Sequence, residues 1–222
     1  MISKDLTKRV ITSVPLLLLL VFSFSNSIVL TISLTIVSLI SWIEFNSLIS
    51  KIFIKKNYKI KFYKIFKNFL SFIYLTLFSF LIFSGISQDN YKLLMFFLFS
   101  ICISSDIGGL LFGKFFKGRK LTKISPNKTI SGAIGSIIFS CLSITPLIYF
   151  YAQNNSIIII FSAIVTSIAC QFGDLFFSYL KRKAKVKDTG KLLPGHGGIL
   201  DRIDSVLIGL PFGLLTLTLF FQ

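Results

Sequence analysis

The sequence has few charged residues and almost no metal-binding or disulfide-forming side chains. Charged residues make up 14% of the 222 residues, whereas soluble domains carry about 25%. There is one histidine, and the three cysteines, Cys102, Cys141 and Cys170, all lie inside apolar runs. Their spacing is wrong for a zinc site and gives no disulfide framework, so we interpret them as packing residues. The low charge argues against a soluble globular protein.

Apolar residues are abundant instead: they make up 54% of the chain, which contains 26 phenylalanines, and the mean hydropathy is +0.82. Repeated apolar runs long enough to cross a bilayer predict an all-α polytopic integral membrane protein with about seven transmembrane helices. We expect one membrane domain over 1–222, with N-terminal helices and a basic cytoplasmic loop in 1–90 and the remaining helices, with any functional signature, in 91–222. The first span follows a start that resembles a signal peptide, and we expect it to be retained. The spans are predicted near 10–25, 27–49, 69–87, 92–113, 132–151, 156–180 and 200–221.

Basic residues are confined to alternate segments between these spans. Segments 1–9, 51–68, 114–131 and 181–204 hold 23 of the 24 lysines and arginines. By the positive-inside rule these segments face the cytoplasm, which places the N-terminus inside and the C-terminus outside. The net charge of +16 is then a cytoplasmic layer that contacts anionic membrane lipids, and it does not indicate nucleic-acid binding. We therefore expect a multi-pass protein of the cytoplasmic membrane.

Carboxylates are rare, and several lie where a membrane protein tolerates them poorly. Asp106 and Asp174 fall near the cytoplasmic ends of two predicted spans, and Asp201 and Asp204 open the last one. Intramembrane acids are costly and mark a functional site by default, although a buried ion pair is the structural alternative. Four carboxylates at one depth predict Mg²⁺ bound by at least two of them. Glu44 stays open between a functional acid and a helix-boundary residue.

The basic segment 114–131 has a turn that leads directly into a predicted helix. Ser125 begins the turn sequence "SPNK", which ends at Lys128, and Thr129 and Ser131 can cap the helix that follows. A basic turn at a helix N-terminus is suited to bind an anion. A plain helix cap is the alternative interpretation of the same residues.

The segment "SYLKRKAKVKDTGKLLPGHGGILDRID", residues 178–204, resembles the signature of the phosphatidate cytidylyltransferases, or CDP-diacylglycerol synthases. Upstream, "QFGDLFFS" and "SDIGGLLFGKFFKGRKLTKISPNKTISG" are similar to two further segments of that family. The resemblance covers roughly 100–213. Ser131 stands where the family usually has glutamate, which puts in doubt a carboxylate role in that loop. Gly109 and Leu110 stand where the family usually has Ala-Tyr.

The resemblance implies transfer of CMP from CTP to phosphatidate, giving CDP-diacylglycerol and pyrophosphate, with Mg²⁺ as cofactor and a second cation and a homodimer left open. The active site would face the cytoplasm. Residues expected to be catalytic are Asp174, Lys181, Arg182, Asp201 and Asp204. Metal ligands are expected to be Asp174, Asp201 and Asp204. Residues expected to bind substrate are Asp106, Ser125, Lys128, Thr129, Lys187, Asp188, His196, Gly197, Gly198 and Arg202.

Two other functions are compatible with the composition. A CTP-dependent kinase of a membrane lipid alcohol would share the basic loops and a cytosolic site. A small transporter would also carry intramembrane acids, but it predicts acids along a path through the bilayer. Here the acids gather towards one face, and the long signature segment favours the cytidylyltransferase.

Overall fold

A computed structural model describes most of the chain. The described residues are 15, 18–19, 21–53, 58–122, 125, 128–151, 156–193 and 197–220. Within these ranges the chain is helical and contains no β-strand. The helices are α1 (Ser27–Ile52), α2 (Tyr58–Ser87), α3 (Asp89–Phe116), α4 (Ile130–Ser143), α5 (Thr145–Tyr151), α6 (Ser156–Lys183) and α7 (Leu200–Phe220).

Six helical segments are long and apolar enough to span a bilayer within the described ranges. They confirm the all-α polytopic membrane fold and correspond to six of the seven predicted spans. Much of the remaining span, 10–25, lies outside the described residues, although 21–25 are helical. Helix α2 begins well before the predicted position 69 and includes much of the basic segment 51–68. Its lysines alternate with Ile, Phe and Tyr, and a lysine can lay its apolar stem along a helix while its charge reaches water.

The predicted span 132–151 is interrupted at Ile144, which separates α4 from α5. Pro146 explains the break, because proline lacks an N–H and its ring crowds the carbonyl four residues earlier. That carbonyl belongs to Leu142, and it accepts a hydrogen bond of 2.6 Å from the Thr145 hydroxyl. The side chain next to the proline thus satisfies the backbone group that the proline leaves unpaired.

The described chain divides into two units, one of which comprises 1–92 and 180–203. In it, α1 and α2 pack antiparallel through polar side chains. The Ser38 and Ser79 hydroxyls are 2.5 Å apart, and Asn68 donates to the Asn46 side chain over 2.8 Å. Trp42 lies between these contacts and donates to the Asn68 carbonyl at 3.2 Å. Hydrogen bonds of this kind join helices where lipid provides no hydrophobic drive.

The other unit comprises 93–179 and 204–222, and small residues bring its helices together. A Cβ on Gly108 of α3 would lie 2.5 Å from the Gly135 carbonyl oxygen of α4. A Cβ on Gly173 of α6 would lie 2.5 Å from the carbonyl oxygen of Asp204 in α7. Only glycine permits such close backbone approach, which is typical of membrane helix pairs. The second of these contacts brings the backbone of α6 close to that of α7 at Asp204.

Candidate active site

Asp201, the second residue of α7, contacts the end of α6 and two separate points of the loop between α6 and α7, of which residues 184–193 and 197–199 are described. Its Oδ1 accepts a 2.7 Å hydrogen bond from the Lys181 ammonium. Its Oδ2 accepts from the backbone N–H of Thr189 at 2.7 Å and of Gly198 at 3.0 Å. The Lys181 and Asp201 side chains are only 15% and 5% exposed. The carboxylate therefore orders the loop as well as pairing with the lysine.

Glu44 of α1 reaches the same loop from a distant part of the sequence. Its carboxylate accepts hydrogen bonds from the Thr189 hydroxyl at 2.7 Å and from the backbone N–H groups of Ile199 and Leu200 at 3.1 and 2.9 Å. The first N–H groups of a helix have no partner within the helix, so Glu44 caps α7. Glu44 is buried, and it is not merely a boundary residue.

Two glycines of the loop fit closely around these carboxylates. Gly198 is buried, and a Cβ there would overlap the Glu44 carboxylate and the Thr189 hydroxyl. Gly197 has φ of +84°, a conformation that side chains disfavour, and pairs with Leu193 through two backbone hydrogen bonds of 2.9 and 3.1 Å. These contacts explain in structural terms why glycine occupies both positions. Their role in binding substrate stays a prediction.

The remaining residues predicted in this segment lie on its surface. Arg182, Lys187, Asp188 and Arg202 are all exposed. The backbone of Lys185 adopts φ of +55° directly after α6, which turns the chain away from the helix axis. His196 lies outside the described residues. The loop residue Lys187 is therefore at the surface, as are Arg182 and Arg202 in the helices on either side of the loop.

In the other unit, two predicted residues form an ion pair. Lys128 precedes α4, and its ammonium contacts the carboxylate of Asp174 in α6. Their side chains are 25% and 35% exposed, so the pair is open to water and to ligands. Both Asp174 and Asp201 thus have a lysine partner. An ion pair of this kind is the structural alternative to a functional site that the sequence analysis left open for intramembrane acids.

Asp106 and Asp204 come together through a residue that the sequence analysis missed. The Ser205 hydroxyl donates to Asp106 over 2.9 Å, and the Ser205 N–H donates to Asp204 Oδ1 over 3.0 Å. Asp204 is buried, whereas Asp106 is exposed. Nothing in the sequence around Ser205 distinguishes it from the many serines in other spans.

The loop before α4 is a short hairpin held by backbone hydrogen bonds. Leu121 donates to Lys128 over 2.8 Å, and Ile130 donates to Arg119 over 3.0 Å. Thr129 caps α4 by accepting from the Gly132 N–H at 3.1 Å, so the predicted cap is confirmed. Ser125 accepts from the Lys128 N–H through its carbonyl at 3.1 Å. The predicted anion-binding role of this turn is untested by these contacts.

The oxygen donors of this chain suit a hard cation. Within the described ranges, no three His, Cys, Asp or Glu side chains form a cluster that could hold a metal on their own. Mg²⁺ commonly uses one or two carboxylates and completes its shell with water and substrate phosphates. Asp174 is partly exposed, and its neighbour in α6, Gly173, packs against the backbone of Asp204. The carboxylates of Asp174 and Asp204 fit Mg²⁺ by donor type.

Six apolar helices long enough to span a bilayer, with a lysine–carboxylate pair at the end of α6 and another before α4, define a polytopic membrane protein. The chain belongs to the cytidylyltransferase family, whose sequence model matches residues 2–220. This finding confirms the resemblance seen in residues 178–204.

Several curated relatives share a printed name, "Phosphatidate cytidylyltransferase". The Rickettsia typhi protein is 40% identical over 139 residues, which cover 58% of this chain and 60% of the relative. The Staphylococcus aureus (strain COL) protein is 44% identical over 117 residues, covering 52% and 45%. The Helicobacter pylori (strain 26695) protein is 35% identical over 125 residues, covering 56% and 47%. The chain thus spans about half the length of such relatives.

Proposed function

We propose that this protein transfers CMP from CTP to phosphatidate, producing CDP-diacylglycerol and pyrophosphate. In this reaction a phosphate oxygen of the lipid attacks the α-phosphorus of CTP. A new P–O bond forms while the bond to the β-phosphate breaks, and pyrophosphate leaves. The name shared by the relatives supports the substrates. The observation that carries the proposal is the Lys181–Asp201 pair within the signature segment, where a buried carboxylate orients a cation beside an exposed basic loop.

The proposed chemistry asks the protein mainly to position phosphates and neutralise their charge. Lys181 is oriented by Asp201, and Lys128 is oriented by Asp174. Each lysine thus has a defined location before substrate arrives. Arg182 and Lys187 are exposed and supply further positive charge for the triphosphate. A lipid phosphate is already ionised near neutral pH, so none of these residues needs to act as a general base.

Asp174 and Asp204 are the carboxylates proposed to hold Mg²⁺. When bound, the ion supplies positive charge that stabilises the transferring phosphate and the leaving pyrophosphate. Asp201 stays a predicted third ligand, although its oxygens accept hydrogen bonds from Lys181, Thr189 and Gly198. Asp106, held by Ser205, is proposed to contact substrate rather than metal.

The site is proposed to face the cytoplasm, in the cytoplasmic membrane. The segments that carry Lys128 and Lys181 are among the four that hold 23 of the 24 basic residues, and such segments stay on the cytoplasmic side. CTP is a cytosolic nucleotide, and phosphatidate presents its headgroup at the membrane surface. Both substrates would then meet the basic loops directly.

The test uses purified protein in mixed micelles with phosphatidate, Mg²⁺ and CTP labelled at either the α- or the γ-phosphate. We expect label from α-labelled CTP in the lipid, with stoichiometric pyrophosphate release. A lipid kinase would instead transfer the γ-label to the lipid, and a transporter would transfer neither. Arg182→Ala should lower activity, whereas Lys191→Ala, which removes an exposed charge in the loop that follows α6, serves as the matched control.

A further inference from the structure

The only glutamate of the chain lies far from the signature segment in sequence but contacts it directly. Glu44 accepts from the Thr189 hydroxyl across a separation of 145 residues, and from the N–H groups of Ile199 and Leu200. An acid inside a membrane helix is expensive unless it is well partnered. Three hydrogen bonds to one loop and one helix start supply those partners. This concentration of contacts on a single loop indicates a role beyond helix packing.

Thr189 links Glu44 to the Lys181–Asp201 pair. Its hydroxyl oxygen lies 2.7 Å from Glu44 Oε2 and 2.9 Å from Asp201 Oδ2. Because a hydroxyl carries one hydrogen, Thr189 donates to one carboxylate at a time and lies within reach of both. Its backbone N–H donates to Asp201 independently, over 2.7 Å. Removing the hydroxyl therefore breaks the link to Glu44 but keeps a direct contact to Asp201.

From these contacts we infer that Glu44 is a positioning residue, which acts through Thr189 to hold the described part of the loop, residues 184–193 and 197–199, and the Asp201 carboxylate in their working arrangement. The inference deepens the proposed function and rests on it for the role of Asp201. Gly198 leaves no room for a side chain beside the Glu44 carboxylate, so the loop backbone packs directly on this acid. Helix α1 thereby contributes to a site whose signature residues all lie after residue 177.

The first experiment compares Thr189→Val, which keeps the branched shape without the hydroxyl, with Thr189→Ser, which keeps the hydroxyl. Ser41→Ala is the control, because Ser41 is buried on the same helix as Glu44 but bonds only to Val37 within that helix. We expect Thr189→Val to lower kcat about tenfold or more, since a small misplacement of a catalytic group can cost on the order of 100-fold. KM for CTP and the melting temperature should change little.

Rescue decides between positioning and general stability. Thr189→Ser should retain kcat within about threefold of wild type, and Ser41→Ala should be indistinguishable from it. Thr189→Val with wild-type kcat would overturn the inference. So would equal losses in the valine and serine variants, because the hydroxyl would then be irrelevant.

A second measurement needs no activity and so separates this inference from the proposed reaction. Trypsin cleavage at the exposed Lys187 and Lys191 reports how firmly the loop is held in detergent-purified protein. We expect Glu44→Ala and Thr189→Val to be cleaved at least severalfold faster than Ser41→Ala. Faster cleavage of these variants, in a protein that lacks cytidylyltransferase activity, would refute the proposed reaction and support the positioning role of Glu44. Unchanged cleavage in Glu44→Ala and Thr189→Val would refute the positioning role of Glu44, whatever the activity.

Discussion

The Lys181–Asp201 pair permits a quantitative test of how the signature loop is held. In Asp201→Asn the shape of the side chain stays the same, but the negative charge beside Lys181 is lost. The lysine then loses the carboxylate that neutralises its charge, at a side chain only 15% exposed. Breaking a buried pair in this way typically destabilises a protein by about 3–5 kcal/mol. The asparagine has one accepting oxygen and one donating NH2 group. The NH2 group must face either Lys181 or the N–H groups of Thr189 and Gly198, and all of these are donors themselves.

For a chain of this length, each kcal/mol shifts the melting temperature by roughly 2–4 °C. Asp201→Asn should therefore melt about 6–20 °C below wild type in detergent, measured by thermal unfolding of the purified protein. Adding Lys181→Met also removes the positive charge that Asp201 neutralises, so the double variant should regain at least half of that loss. Both Asp201→Asn and the double variant should be inactive, since Asp201 and Lys181 belong to the proposed active site.

The double variant distinguishes charge from shape. An Asp201→Asn protein that melts within about 2 °C of wild type would refute the reasoning, because the pair would then contribute as little as an exposed one. A double variant that is less stable than Asp201→Asn alone would also refute it. In that case the lysine would be stabilised by other partners, and its charge would not be stranded.

Three further predictions concern other parts of the chain. Lys128→Ala removes the partner of Asp174 at a partly exposed site, so CTP use should fall at least severalfold while the melting temperature shifts little; wild-type kinetics would mean that this charge only sets topology. Gly173→Ala places a Cβ 2.5 Å from a backbone oxygen of α7 and should destabilise by about 1–3 kcal/mol; thermal unfolding would contradict this if the variant melted like wild type. Maleimide labelling should reach Lys183→Cys only from the cytoplasmic side and Asn154→Cys only from outside; labelling of both from one face would contradict the orientation.

Most of the fold follows from local features of the sequence. Apolar runs identified all six spans found in the described residues, because a bilayer imposes a minimum length on each span. The break at Ile144 was missed, although Pro146 signals it, because membrane helices often tolerate proline where other groups satisfy the backbone. The predicted span begins at residue 69 because lysines usually mark the edge of a membrane span. The helix itself continues through the lysines and begins at Tyr58.

The site was predictable only in part, because chemistry can be recognised locally but partners cannot. The aspartates stood out as costly residues in apolar surroundings, and a resemblance placed most of the basic residues. Glu44 was ambiguous, since its partners lie 145 to 156 residues later in the chain. Thr189 and Ser205 look like any other hydroxyl residues until the fold brings carboxylates to them. Being the only glutamate was the one sequence signal that set Glu44 apart.

The long sequence separation between Glu44 and its partners also has a consequence for biosynthesis. At roughly 5–20 residues per second, about 7–30 s pass between synthesis of Glu44 and synthesis of the residues that bond to it. During that interval α1 must enter the membrane with its carboxylate unsatisfied by Thr189, Ile199 or Leu200. The nascent chain therefore inserts a carboxylate into the membrane before the loop that hydrogen-bonds to it has been synthesised. A ribosome stalled between these points would leave the Glu44 carboxylate of α1 without these three hydrogen-bond partners.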